Sequence, residues 1–115
     1  MKKKIGITLG DPSGIGPEIV LKALTGHTEI YKQVTPVVFG SLSVLEAVKK
    51  NLSLPTEIIR AKNLDNWRAA PNVVTVFSTA EPPTLPSVGK IDPLAGRMAF
   101  SWMEAAVTAA NEGKI

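Results

Sequence analysis

The amino-acid sequence predicts an α/β fold, a three-layer sandwich with a mainly parallel sheet, and three observations carry that reading. Short β-branched runs alternate with longer stretches of helical periodicity. The turns after the first two strand-like runs are rich in Gly, Asp and Ser, residues that end strands and open helices. Strands that alternate with helices in this way pair in parallel, because each parallel connection is a crossover long enough to hold a helix.

Lys4-Ile5-Gly6-Ile7-Thr8-Leu9 alternates apolar with other residues and is closed by Gly10, so it reads as the first strand. A helix opens near Pro17, with Glu18 in its first turn, an apolar side of Ile19, Val20, Ala23 and Leu24, and Gly26 to close it. Thr35 to Gly40 forms a second strand. The helix after it starts at Ser41 or Ser43, with Ser43 and Glu46 in capping-box spacing and Lys49 and Lys50 near its C-terminus. Glu57-Ile58-Ile59-Arg60 and Asn72 to Phe77 supply two more strands, with Trp67 between them as a packing anchor.

Thr79 to Pro93 contains Pro82, Pro83, Pro86 and Pro93, which forbid regular structure. Taken from its residues alone, it is an extended crossover without ligand contact. Asp92-Pro93 then gives an N-cap and a first-turn proline to a helix from Leu94 to Glu112, closed by Gly113. Arg97, Ser101, Glu104, Thr108 and Asn111 form one narrow polar stripe, and the rest is apolar almost all round. Met98, Phe100, Trp102 and Met103 spread around the axis, so a sheet covers one side only. Another domain or subunit is expected on the other, with self-association of the bare chain that Trp102→Glu would weaken.

The composition narrows the function classes. With 13 basic and 10 acidic residues the net charge is +3, and no basic run follows Lys2-Lys3-Lys4, which speaks against a nucleic-acid partner. There is no cysteine, in keeping with a reducing compartment. No apolar run approaches the roughly 20 residues that span a bilayer. A cytoplasmic location is expected. His27 is the only histidine. It follows the first helix directly, reads as a surface loop residue, and cannot hold a metal ion by itself.

The stretch with the most exacting chemistry is Leu9-Gly10-Asp11-Pro12-Ser13-Gly14-Ile15-Gly16-Pro17-Glu18. Glycine permits positive φ and close approach to the main chain, while proline suits the first helical turn. The free N–H groups of the helix beyond it make a natural seat for an anionic or carbonyl-bearing ligand. Strand-to-helix turns also contain Gly and Asp for purely structural reasons. The third glycine of G-x-G-x-x-G is missing and there is no G-x-x-x-x-G-K-[ST], so this is neither an ordinary Rossmann turn nor a P-loop.

Gly10-Asp11-Pro12-Ser13-Gly14-Ile15-Gly16-Pro17-Glu18, behind an N-terminal apolar strand, resembles the opening of the 4-hydroxythreonine-4-phosphate dehydrogenase family of vitamin B6 synthesis. Gly89-Lys90-Ile91-Asp92, Gly96-Arg97-Met98-Ala99 and the alanine-rich helix ending Asn111-Glu112-Gly113 are similar to the segment before that family's metal and substrate motifs. A looser likeness to isocitrate and isopropylmalate dehydrogenases points to the same broad fold. Gly26-His27-Thr28-Glu29 is similar to a substrate motif of the family, but stands far too early in the chain to be it.

The resemblance implies that residues 1–115 are a partial α/β domain, the truncated N-terminal portion of a two-domain enzyme about three times as long. It implies NAD-dependent oxidation and decarboxylation of 4-phosphooxy-L-threonine, a divalent metal ion, a phosphorylated small-molecule substrate and a homodimer. The irregular stretch from Thr79 would then lead to a helix bordering the interdomain cleft. The metal-binding histidines, catalytic lysine and most phosphate ligands are expected beyond Ile115, leaving the chain alone inactive, with no catalytic or metal residue of its own. Its share is the cofactor side, assigned to Asp11, Gly14, Ile15 and Gly16. Two alternatives stay open: a dehydrogenase for a related sugar-acid phosphate, and a free-standing anion-binding or interaction module.

Overall fold

The computed structural model describes residues 2–115. Strand β1 (Lys3–Thr8) leads into helix α1 (Gly16–Leu24) and a short helix α2 (Thr28–Gln33). Strand β2 (Val34–Phe39), helix α3 (Leu42–Leu52), strands β3 (Glu57–Arg60) and β4 (Val73–Phe77), and helix α4 (Pro93–Asn111) follow. The four strands form one sheet in the order β1-β2-β4-β3, every pairing parallel. The expected α/β class, the parallel sheet and the long irregular stretch before the last helix are all present.

The alternation of side chains sets the three layers. Ile5 and Ile7 of β1 and Pro36 of β2 border a groove with Ile19, Val20 and Leu24, so α1 lies on that face, and α3 packs beside it. Gly6, between the two isoleucines, turns to the other face. A Cβ there would come within 2.7 Å of the Phe39 ring and 2.6 Å of Ile115 Cδ1, so a side chain at this position would have to displace the two side chains that pack over it. Phe39 and Phe77 meet edge to face on this second side, with ring centroids 5.7 Å apart. Helix α4 covers it through Ala95, Trp102 and Ala109, which recur every seventh residue and are all buried.

Register explains a proline in an inner strand. β1 and β2 pair along six residues, but β2 meets β4 only at Val38↔Val76 and Phe39↔Phe77. The Phe39 carbonyl accepts from Leu9 on the β1 side, so by alternation Pro36 faces the β4 side, where no ladder bond is being made and its missing N–H costs nothing. Its carbonyl is taken instead by the Trp67 indole N–H at 2.9 Å. The packing anchor expected of Trp67 is thus also a hydrogen-bond donor.

The structure adds one helix, decides one cap and corrects one surface. Helix α2 was not anticipated: six residues give too little periodicity, and its hold on the protein is Tyr31, buried with its hydroxyl donating to the Leu24 carbonyl. Burial raises the Tyr31 pKa. Of the two starts offered for helix α3, Ser41 is the cap, its Oγ accepting from the Val44 N–H at 3.1 Å, and the Ser43–Glu46 spacing is not used. Trp102 lies wholly inside the core (0% exposed), its indole N–H donating to the Ala80 carbonyl. Trp102→Glu therefore strikes the core, not an association surface. The exposed apolar stripe of α4 is Phe100, Met103 and Val107.

Candidate functional site

Asp11 builds the turn between β1 and α1. Its carboxylate Oδ1 accepts from the Ser13 N–H at 2.8 Å, and its carbonyl accepts from Gly14 N–H at 2.9 Å, which closes the chain on itself over four residues. The positive φ that the turn requires falls at Gly10 (74°) and not at Gly14 or Gly16. Gly16 is glycine for another reason: a Cβ there would overlap the carbonyl oxygen of Leu9. At Gly14 the nearest atom to a built Cβ is Asp11 O, 3.4 Å away, so a side chain there is tolerated by the fold.

Helix α1 starts at Gly16 with Ile15 at its N-cap, a residue whose side chain cannot cap, and Pro17 follows. The N–H groups of Gly16 and Glu18 are thus left without intrahelical acceptors at the positive end of the helix dipole. Ile15 projects into solvent beside them (66% exposed). A cavity of about 170 Å³ lies here, bordered by Gly14, Ile15, Pro17, Val48, Asn51 and Val88. Of the residues singled out from sequence, Asp11 shapes the turn, Gly14 and Ile15 face the cavity, and Gly16 sets the approach of α1 to β1.

Three of the lining residues carried no local signal in the sequence. Val48 and Asn51 come from α3, and Val88 from the irregular β4–α4 connection, which is pinned to the turn by a 2.7 Å hydrogen bond from Gly89 N–H to the Ser13 carbonyl. Ser13 itself is 3% exposed, and its Oγ is the one buried side-chain polar atom without a partner among the described residues. His27 is exposed at the start of α2, away from these residues. Among the described residues no three His, Cys, Asp or Glu side chains come together to hold a metal ion. The resolved pKa shifts of carboxylate and amine lie elsewhere. A hydrogen bond and attraction from Lys114 lower Asp65 below its usual value, and the same contact raises Lys114.

No protein-family model matches the sequence. A protein of Oceanobacillus iheyensis, provisionally named a D-threonate 4-phosphate dehydrogenase, is 35% identical over 118 aligned residues, taking in 100% of this chain and 35% of its own length. The 4-hydroxythreonine-4-phosphate dehydrogenase of Desulfosudis oleivorans is 35% identical over 96% of the chain and 32% of its own length. The crystal structure of the Burkholderia phymatum 4-hydroxythreonine-4-phosphate dehydrogenase superposes with a TM-score of 0.93 at 30% identity, over 100% of this chain and 34% of that one. The chain is homologous to 4-hydroxythreonine-4-phosphate dehydrogenases. It spans about a third of the length of these relatives, consistent with an N-terminal part of that family. No helix among the described residues is long and apolar enough to cross a membrane.

Proposed function

We propose that the chain supplies part of the cofactor side of an NAD-dependent dehydrogenase that oxidises and decarboxylates 4-phosphooxy-L-threonine in vitamin B6 synthesis, acting in the cytoplasm as a homodimer. The observation that carries this reading is the uncapped start of α1 with Gly14 and Ile15 exposed at the C-terminal end of β1, the end where open α/β sheets bind ligands, in a chain whose relatives are named as dehydrogenases.

The turn fits one edge of a dinucleotide. Gly16 and Glu18 offer N–H donors, Gly14 leaves room for close approach, and Ile15 presents an apolar surface that excludes water from one side of the ligand. Asp11 holds the turn that positions them. When bound, NAD accepts the hydride of the substrate alcohol. A divalent ion belongs to the same proposal, but no donor set for it is assembled among the described residues. The name of the Oceanobacillus iheyensis relative favours a second reading, a related phosphorylated sugar acid as the substrate.

Titration calorimetry with NAD, ADP-ribose and inorganic phosphate on wild type and Ile15→Asp tests the reading. NAD binding that Ile15→Asp abolishes is expected. Binding of phosphate alone, untouched by the substitution, would point instead to an anion-binding module.

A further inference from the structure

Glu81 has no part in the family-like turn, yet it makes two contacts that nothing in its own stretch of sequence announces. Its Oε1 accepts from the Ser43 backbone N–H at 3.1 Å, and its Oε2 accepts from Ser78 Oγ at 2.9 Å. Ser43 sits in the first turn of α3, where a carboxylate is favoured by the helix dipole and by an otherwise unused N–H. One side chain thereby ties the start of the β4–α4 connection to a helix that belongs to the opposite layer of the sheet.

The place of this tie gives it meaning. β2 and β4 are neighbours, but α3 leaves β2 toward the α1 layer while the chain after β4 leads to α4 on the other face. Connections that part to opposite faces from adjacent parallel strands open a crevice at the strands' C-terminal ends. Glu81 bridges that crevice. Farther along the same connection, Val88 lines the cavity at the β1–α1 turn, and Gly89 N–H bonds to the Ser13 carbonyl. Between them stand Pro82, Pro83 and Pro86, whose fixed φ stiffens the segment and lets a displacement at one end reach the other.

We propose that Glu81 is a positioning residue for the cavity at the turn: its bridge between Ser43 and Ser78 holds the β4–α4 connection where Val88 lines that cavity and Gly89 N–H bonds to the turn. What the cavity holds rests on the cofactor reading above; the bridge does not. The competing hold is the bond from Trp102 Nε1–H to the Ala80 carbonyl, one residue away. Were that bond sufficient, the carboxylate would be dispensable to the wall.

The test is amide hydrogen exchange, residue by residue, in Glu81→Ala, Glu81→Gln and Ser78→Ala, with Val76 in β4 as an internal reference. Loss of the bridge should speed exchange at Gly89 about fivefold, the effect of one lost hydrogen bond. Val76 should stay unchanged. Glu81→Gln, which can still accept from Ser43 and donate to Ser78, should largely restore the wild-type rate. Ser78→Ala, which removes one hydrogen bond and no charge, should give a smaller change in the same direction and serves if Glu81→Ala does not fold. Unaltered exchange at Gly89 in all three would overturn the proposal. NAD affinity is read in parallel: a response at Gly89 in a protein that does not bind NAD upholds the bridge and sinks only the cofactor reading.

Discussion

Gly16→Ala and Gly14→Ala add the same methyl group two residues apart, and the structure assigns them opposite consequences. At Gly16 the new Cβ would overlap the Leu9 carbonyl oxygen, and neither backbone can yield cheaply. Leu9 is buried and its N–H is bonded to the Phe39 carbonyl at 3.2 Å, while the residue after Gly16 is the buried Pro17. Relief requires α1 to move off the sheet, an overpacking penalty of about 2 kcal/mol or more. For a domain of this size that lowers the melting temperature by about 10 °C. At Gly14 the nearest atom is 3.4 Å away and φ is not positive, so the expected change is within about 0.5 kcal/mol. Urea unfolding followed by tryptophan fluorescence measures both, and NAD titration of the folded Gly14→Ala protein should show weakened binding. A Gly16→Ala protein as stable as wild type, or a Gly14→Ala protein equally damaged, would refute the reasoning.

Trp102→Ala should destabilise by about 4 kcal/mol through cavity formation and the orphaned Ala80 carbonyl; a loss of unfolding free energy in urea under a quarter of that would count against it. Phe100→Glu with Met103→Glu, on the exposed stripe of α4, should lower the apparent mass of any self-associated chain in light scattering across a dilution series, with the fold retained by circular dichroism. The Asp65–Lys114 pair has a sign fixed by its shifts. The lowered Asp65 pKa contributes stability above the ordinary value of 3.8 that is lost as pH falls through the lowered one, and the raised Lys114 pKa contributes stability below 10.5 that is lost as pH rises through the raised one. Asp65→Asn should therefore flatten the acid limb of melting temperature against pH, and identical limbs would contradict the pairing.

The elements legible in the sequence were those whose cause is local. Ser41, Asp92 with Pro93, and Gly26 and Gly113 mark their helix ends by side-chain chemistry or positive φ, and each does so in the structure. What depends on distant parts of the chain was hidden. The core position of Trp102 follows from its seven-residue spacing with Ala95 and Ala109, a stripe masked by apolar residues on α4's other face. The glycine pattern of the turn was visible, but the separate reasons for Gly10, Gly14 and Gly16 were not, because the Gly16 reason lies in the Leu9 carbonyl. The cavity wall formed by Val88 and the Glu81 bridge join segments far apart in sequence.

The short seam between β2 and β4 has a mechanical consequence. With strand pairing confined to Val38↔Val76 and Phe39↔Phe77, the sheet divides into two plates, β1–β2 and β4–β3, joined by a pivot at their C-terminal ends and bridged below it by the Trp67 indole on the Pro36 carbonyl. Twisting one plate against the other moves the far ends of the strands most and the pivot least. The rim that carries the β1–α1 turn is thus the stiff end of the sheet, and the compliance needed for slow local opening is placed at the end away from it.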